Sequence, residues 1–182
     1  MKKLRNISLA VIAMLLPALF LPQLTIAQGE KKERIIDDSK AAKSEFIKGD
    51  PSMENLFKNA YGYAIFPNVG KGAVGVGGAA GHGAVYERGK VVGTAQMLQA
   101  TVGAQVGGKA YREVVFFENK AALDRFQNNR FEFDAQASAV AVKAGAGSNA
   151  NYREGVVVFS QEKSGLMLEA SIGGQKFTYK AL

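Results

Sequence analysis

The sequence predicts an α+β fold: a strongly curved or barrel-like antiparallel β-sheet with glycine-rich strands, two N-terminal helices and a short mid-chain helix. Many short β-prone segments follow one another with few helices between them, which is typical of antiparallel sheets. If residues 73–85 are extended, one face of that strand carries little besides glycine and alanine. Because glycine inside a strand usually marks a bulge, a bend or close approach by other backbone, we expect either that another segment packs directly against this strand or that the sheet curls sharply there.

The first 27 residues are predicted to be an export signal. Three basic residues within the first five precede an apolar run from Ile7 to Leu21, and the stretch from Thr25 to Ala27 suits cleavage. An uncleaved anchor is the alternative, but the run is short for a membrane span and contains Pro17. We therefore expect a single domain over residues 28–182 of an exported protein, either periplasmic or secreted.

The charge and the absence of cysteine narrow the class of function. The formal net charge is +7, from 23 basic and 16 acidic residues, and three of the basic residues lie in the predicted signal. The remaining excess of +4 suits a loose attraction to an anionic surface better than nucleic-acid binding, which needs a concentrated basic face. Without cysteine, disulfides and thiolate metal sites are excluded. Packing alone must stabilise the domain, and we expect no cofactor and no metal.

Residues 30–48 are predicted to form an amphipathic helix, and a second helix is predicted after Asp50-Pro51. One face of the first helix carries Ile35, Ser39, Ala42 and Phe46. The two helices either dock on the domain or lie on a membrane. We favour docking, because residues 28–60 hold seven basic and seven acidic residues, whereas membrane-surface helices usually have a basic face.

The other elements follow from apolar alternation and turn residues. Gly89 supplies a positive φ for a hairpin turn between Glu87 and Lys90, and Asn119 is placed to cap a helix over residues 120–128. Strands are predicted at residues 63–66, 73–85, 91–105, 110–117, 155–159, 166–172 and 177–179, with another starting at Phe131. Residues 135–150 are ambiguous between helix, strand and loop.

No motif predicts an enzyme. Residues 70–75 match G-x-G-x-x-G, but a β-like run follows and there is no acidic residue at the required spacing. Residues 103–109 match G-x-x-x-x-G-K, but Ala110 stands where a phosphate loop needs a hydroxyl. His82 is the only histidine, and no nucleophile elbow accompanies it.

Five basic residues in or near predicted turns are the candidate ligand contacts. They are Lys71, Arg88, Lys90, Lys109 and Arg112. If the glycine-rich strands bring these turns to one rim, their side chains offer charge-assisted hydrogen bonds to phosphate head groups. Ordinary solvated turns are the alternative for each of them.

A set of short segments occurs in an order that points to a family. The segments are Gly62–Pro67 (GYAIFP), Gly70–Gly72 (GKG), Gly75–Gly83, Val102–Gly108 (VGAQVGG), Glu113–Phe117 (EVVFF), Ala121–Phe126 (AALDRF), Gly165–Met167 and Gly173-Gly174. In this order, from about Ile35 to Tyr179, the chain resembles the SYLF lipid-binding domain.

The resemblance implies a non-enzymatic module that binds acidic phospholipids, including phosphoinositides in eukaryotic members, some of which also bind actin filaments. It also implies membrane contact by the N-terminal helix, here Ile35–Ile47, with Ile35 and Phe46 as candidate contacts. The export signal resembles that of bacterial relatives. An exported chain does not meet cytosolic actin, so general anionic lipid is the expected ligand.

We therefore expect a peripheral phospholipid-binding module of the cell envelope, which uses basic loops and the N-terminal helix. The alternative is an envelope structural or protein-interaction domain that has a protein partner and no lipid ligand. An enzyme is a third reading, and it requires a pocket that gathers His82 with a carboxylate or a serine.

Overall fold

The computed structural model describes residues 21–74, 76–102, 107–129, 132–133, 139–141, 145–163 and 174–182. The chain forms two compact units, residues 1–34 and residues 35–182. In the first unit the described residues are helical from Leu21 onward. Over the described ranges, no helix combines the length and the apolar character that crossing a membrane requires.

Most element positions follow the sequence patterns, but the predicted single strand over residues 73–85 is wrong at its start, because Ala73 and Val74 end the first strand and pair with Gly77 and Val76 of the next strand. The helices are α1 (Leu21–Gly49), α2 (Met53–Asn59) and α3 (Lys120–Gln127), with a 3₁₀ turn at Gly147–Asn149. The strands are β1 (Gly62–Val74), β2 (Val76–Glu87), β3 (Lys90–Val102), β4 (Gly107–Phe117), β5 (Glu132–Phe133), β6 (Ala139–Ala141), β7 (Val156–Glu162) and β8 (Gln175–Ala181). The predicted strand at 166–172 and the start at Phe131 lie outside the described residues. The ambiguous stretch 135–150 contains β6 and the 3₁₀ turn.

The described strands form one sheet in the order β5-β8-β3-β2-β1-β4-β7-β6. Neighbouring strands are antiparallel, except that β6 and β7 are parallel. The sheet is rolled strongly. Phe66 on β1 and Phe177 on β8 are three strands apart, about 14 Å in a flat sheet, yet their ring centroids are 5.6 Å apart. The α+β fold with a strongly curved sheet is confirmed, and within the described residues β5 and β6 remain separate edges, so the roll is not closed.

A bulge and a glycine let the sheet bend where the sequence predicted it. The pairing of β1 shifts register between Ile65 and Asn68. Opposite this bulge, a Cβ on Gly83 would lie 2.3 Å from the carbonyl oxygen of Ile65. Only glycine allows the two backbones to approach this closely. The predicted reason for the glycine-rich strand, close approach by other backbone, is confirmed at this position.

We expect Gly83→Ala to lower the free energy of unfolding by about 2–3 kcal/mol, since the new methyl group meets backbone that cannot move aside cheaply. Gly70→Ala is the matched control, because a Cβ on Gly70 has no heavy atom within 4 Å. Urea unfolding followed by circular dichroism measures both. Equal stability of the two variants would contradict the close approach at Gly83.

Two apolar cores lie on the two faces of the sheet. The inner core fills the roll and includes Phe66, Val115 and Phe177, with α3 packing against it through Leu123 and Phe126. The cap predicted for α3 is confirmed, because the Ala122 amide donates to Asn119 Oδ1 at 3.0 Å.

The outer core lies between the sheet and the two N-terminal helices. Phe46 of α1 and Phe57 of α2 belong to it with Tyr63 and Phe116 of the sheet. Ser39 of α1 also binds the bulge directly, because its hydroxyl donates to Ile65 O at 3.1 Å and accepts from the Ala84 amide at 3.3 Å. The predicted docking of the two helices on the domain is therefore confirmed for residues 35–59.

Candidate functional site: an exposed lysine face

Beyond the positions covered by α1 and α2, the outer side of β2, β3 and β8 is exposed. We call these positions the lysine face: Ala80, Gln96, Leu98, Lys176, Thr178 and Lys180. Ala80, Leu98 and Lys176 are successive cross-strand partners, and so are Gln96 and Thr178 in the next row. These exposed side chains therefore form one continuous surface across three strands.

The lysine face combines apolar surface with positive charge. Leu98 is 48% exposed on β3, between β2 and β8, and adds apolar area to this face. Lys176 on β8 is its cross-strand partner, and Lys180 lies four residues further along β8, opposite Thr94. The sequences of β1, β2, β3 and β8 contain one carboxylate, Glu87 at the end of β2, and its Oε1 accepts a hydrogen bond from Tyr61 at 2.8 Å. On the neighbouring strand β5, Glu132 is the cross-strand partner of Lys176.

This arrangement has a simple chemistry. Lysine ammonium groups donate hydrogen bonds and attract anions, while their methylene stems and Leu98 offer apolar contact. Small side chains such as that of Ala80 do not protrude far from the sheet, so a flat partner can approach the strands closely. The face therefore suits an extended partner that presents anionic groups above an apolar layer.

The structure separates the basic residues that the sequence predicted to share one rim. Arg88 and Lys90 are exposed in the β2–β3 hairpin turn, and the Arg88 guanidinium lies 5.0 Å from the ring centre of Tyr61. Lys71 and Lys109 are cross-strand partners of one another on β1 and β4. On β2, the partner of Lys71 is Ala79, eight residues before Glu87, which is about 26 Å along the strand. For Lys71 and Lys109 the structure describes the backbone only.

Arg112 is used within the fold. Its side chain is 14% exposed, its Nη1 donates to Gln161 Oε1 at 2.8 Å, and the same atom lies 3.6 Å from Glu45 Oε2. It thereby joins β4 and β7 to α1.

The two apolar candidates on α1 also face the domain. Phe46 is fully buried in the outer core, and Ile35 is partly buried against it. In this conformation Phe46 is not available to a membrane, and the lipid-binding roles of all seven candidate residues stay predictions.

The sequence reasoning missed Leu98, Lys176 and Lys180. The sequence of residues 175–180, Gln-Lys-Phe-Thr-Tyr-Lys, places both lysines on the same side of a strand. In the structure this side is the more exposed one. The predicted strand, residues 177–179, was too short to show this polar face. His82 is exposed on β2 with Asn68 and Gln96 as its cross-strand partners.

A separate feature is a cleft of about 200 Å³ between α2, the 3₁₀ turn and Tyr152. Its lining mixes Leu56 and Ala60 with polar side chains such as Asn55, Asn59 and Glu118. Among the described side chains, no group of three or more potential metal ligands was found there or elsewhere.

A rigid sheet that presents an exposed, cationic and partly apolar face is typical of a binding module. Residues 98–181 match the family model described as Las17-binding protein actin regulator, Ysc84. The chain is also 34% identical over 128 residues to Beta cell expansion factor A of Aeromonas veronii, covering 70% of this chain and 49% of that protein. It thus spans about half the length of this curated relative. The chain belongs to the SYLF domain family, which confirms the resemblance seen in the sequence.

Proposed function

We propose that this domain is a non-enzymatic module that binds anionic phospholipid surfaces through the lysine face. The observation that carries the proposal is the surface around Leu98, where an exposed aliphatic side chain is the cross-strand partner of Lys176, and Lys180 lies four residues further along β8 on the same side. Membership of a family already associated with binding rather than catalysis supports it.

The expected energies are modest and favour reversible, peripheral attachment. Each lysine near an anionic bilayer contributes about 1 kcal/mol at physiological salt. Burying the exposed part of Leu98 in the interfacial region adds roughly 1 kcal/mol, since complete burial of a leucine is worth about 1.5–3 kcal/mol. Arg88 and Lys90 lie in the exposed hairpin turn and offer a second group of cations, separated from the lysine face by the outer-side positions that α1 and α2 cover.

The proposed location follows from the predicted export signal. An exported domain meets the anionic lipids of the envelope, in the periplasm or outside the cell. We therefore propose general anionic phospholipid as the ligand and not a phosphoinositide, because the lysine face offers two mobile ammonium groups and no built pocket for one head group.

A protein partner is the second candidate. The family model's description names a protein-binding regulator of actin, and an exposed leucine among small residues also suits packing against another protein. Absence of binding to vesicles of any composition at low salt would favour this alternative.

The first test is co-sedimentation of residues 28–182 with vesicles of increasing anionic lipid content. Leaving out residues 1–27 removes an apolar segment that would bind lipid by itself. We expect the double variant K176Q/K180Q to bind anionic vesicles roughly thirty-fold more weakly, since two lysines are lost at about 1 kcal/mol each. Binding of the unmodified chain is expected to fall as salt is raised.

The matched control is K48Q/K58Q, which removes the same charge from exposed positions on α1 and α2. If both double variants lose the same affinity, net charge alone drives binding and the lysine face is not the contact surface. A third variant, R88Q/K90Q, measures the contribution of the hairpin turn.

A further inference from the structure

Glu113 is a carboxyl group enclosed in the interior of the rolled sheet. It lies on β4, is 1% exposed, and its Oε2 accepts a hydrogen bond of 3.0 Å from Gln175 Nε2 on β8. In the strand order, β4 and β8 are four positions apart, about 19 Å in a flat sheet. This contact therefore exists only because the sheet is rolled.

Two oxygens of this pair have no hydrogen-bond partner. Glu113 Oε1 and Gln175 Oε1 are both buried and both unsatisfied. An unpaired buried acceptor costs about 1–3 kcal/mol, so two in one pair need an explanation. If the Glu113 carboxyl group is protonated, one of its oxygens becomes a hydrogen-bond donor. The unpaired Gln175 Oε1 is then an available acceptor in the same pair.

The titratable groups among the described side chains on the inner side of β4, β7 and β8 are Tyr111, Glu162 and Tyr179. By strand alternation, Lys109 on β4 and its cross-strand partner Lys71 on β1 occupy positions on the same side, and Lys109 lies four residues, about 13 Å, along β4 from Glu113. β1 contributes Phe66 and Val69, and β3 contributes Met97 and Gln99, whose Oε1 accepts from the Tyr111 hydroxyl at 3.1 Å.

We propose that below neutral pH Glu113 carries a proton in the folded chain and that the resulting acid–amide pair with Gln175 latches β8 to β4 across the interior of the roll. Gln175 Nε2 donates to one carboxyl oxygen, and the protonated oxygen donates back to Gln175 Oε1. One proton thus satisfies both unpaired oxygens. This latch is independent of lipid binding.

The pH dependence of stability follows from this assignment. Burial raises the pKa of Glu113 from its ordinary value of 4.5 to about 7, although the hydrogen bond from Gln175 acts in the opposite direction. Below pH 4.5 both the folded and the unfolded chain carry the proton. Between pH 4.5 and about 7 only the folded chain carries this proton. The free energy of unfolding therefore falls as the pH rises through this range, and the contribution of Glu113 is at its lowest above pH 7.

The test compares the full chain with E113Q, which keeps the size of the side chain, offers an amide donor to Gln175 and cannot ionise. From pH 4.5 to 7, we expect the folded-to-unfolded ratio of the unmodified chain to fall, relative to E113Q, by about ten-fold per pH unit in urea titrations. E162Q is the control, because Glu162 lies on the same side of the sheet at the strand end. It should keep the pH slope of the unmodified chain.

Equal slopes for the unmodified chain and E113Q would overturn the proposal. If E113Q does not fold, infrared difference spectra of the unmodified chain at pH 6 decide the question. The proposal expects the carbonyl band of a protonated carboxylic acid that disappears with a midpoint near pH 7. Absence of this band would show an ionised Glu113 and would overturn the latch.

Discussion

Replacing Asp50 with alanine is expected to lower the free energy of unfolding by about 3 kcal/mol. Asp50 is buried at the junction of α1 and α2. Its Oδ1 accepts from the amides of Ser52 at 3.0 Å and Gly145 at 3.2 Å, and its Oδ2 accepts from the Gly147 amide at 2.7 Å. Alanine would leave three amides without this partner, and hydrogen bonds to a charged acceptor are worth about 1.5–3 kcal/mol each.

The same contacts set the pH dependence of this contribution. Burial by itself raises the pKa of Asp50, but the hydrogen bonds from Gly147, Ser52 and Gly145 outweigh it and hold the pKa below the ordinary value of 3.8. Because the folded pKa is depressed, the stabilisation is present above pH 3.8 and is lost as the pH falls through the lower, folded value. Asp50→Asn should therefore lose less stability in acid than the unmodified chain does.

Urea unfolding at pH 7 measures the effect, with Asp38→Ala as the control for loss of an exposed carboxylate on α1. We expect the control to change stability by less than about 0.5 kcal/mol. If Asp50→Ala were as stable as Asp38→Ala, the network that ties the helix junction to residues 145–147 would not contribute to folding.

Phe116→Ala is expected to lower the free energy of unfolding by about 3–5 kcal/mol, as for other fully buried aromatic side chains. The Phe116 ring is completely buried. Its centroid lies 4.9 Å from that of Phe57 on α2 and 5.9 Å from that of Phe159 on β7. Its removal leaves a cavity under the docked helices.

Leu98→Ala provides the contrast, because Leu98 is half-exposed on the lysine face. We expect this variant to unfold within about 0.5 kcal/mol of the unmodified chain while binding anionic vesicles more weakly. Similar losses of stability in both variants would show that Leu98 belongs to the core and would remove it from the binding surface.

Local patterns were enough to predict most of the fold. The Asn119 cap and the apolar stripe of residues 120–127 predicted α3, because both act within one or two helical turns. The run of glycines predicted the bend, and Gly83 shows the reason: the carbonyl of Ile65 occupies the space a side chain would need.

Contacts between distant residues were not predictable in the same way. Asp50 was expected to open a helix, but it also binds amides 95 and 97 residues further along the chain. Arg112 looked like a turn cation, yet the pairing of β4 with β7 and the docking of α1 bring Gln161 and Glu45 to it. Such outcomes depend on strand register and helix docking, which no short segment encodes.

The sequence analysis predicted lysine and arginine side chains gathered at one rim as the ligand contacts. The register instead puts Arg88 and Lys71 far apart along β2, and their ligand contacts stay a prediction. The lysine face arises where β8 pairs with β3 and brings Lys176 next to Leu98, residues that are 78 positions apart in the chain. Only the pairing of these strands creates this surface.

The most direct test of membrane docking by the lysine face uses a fluorophore that reports local polarity. Since the chain has no cysteine, a single cysteine labels one position only. Ala80→Cys places the probe beside Leu98, and Asn55→Cys places it on the exposed side of α2. With anionic vesicles, we expect a shift to an apolar environment for the probe at position 80 and none at position 55. A shift at position 55 alone, or at neither position while the protein sediments with the vesicles, would contradict docking through the lysine face.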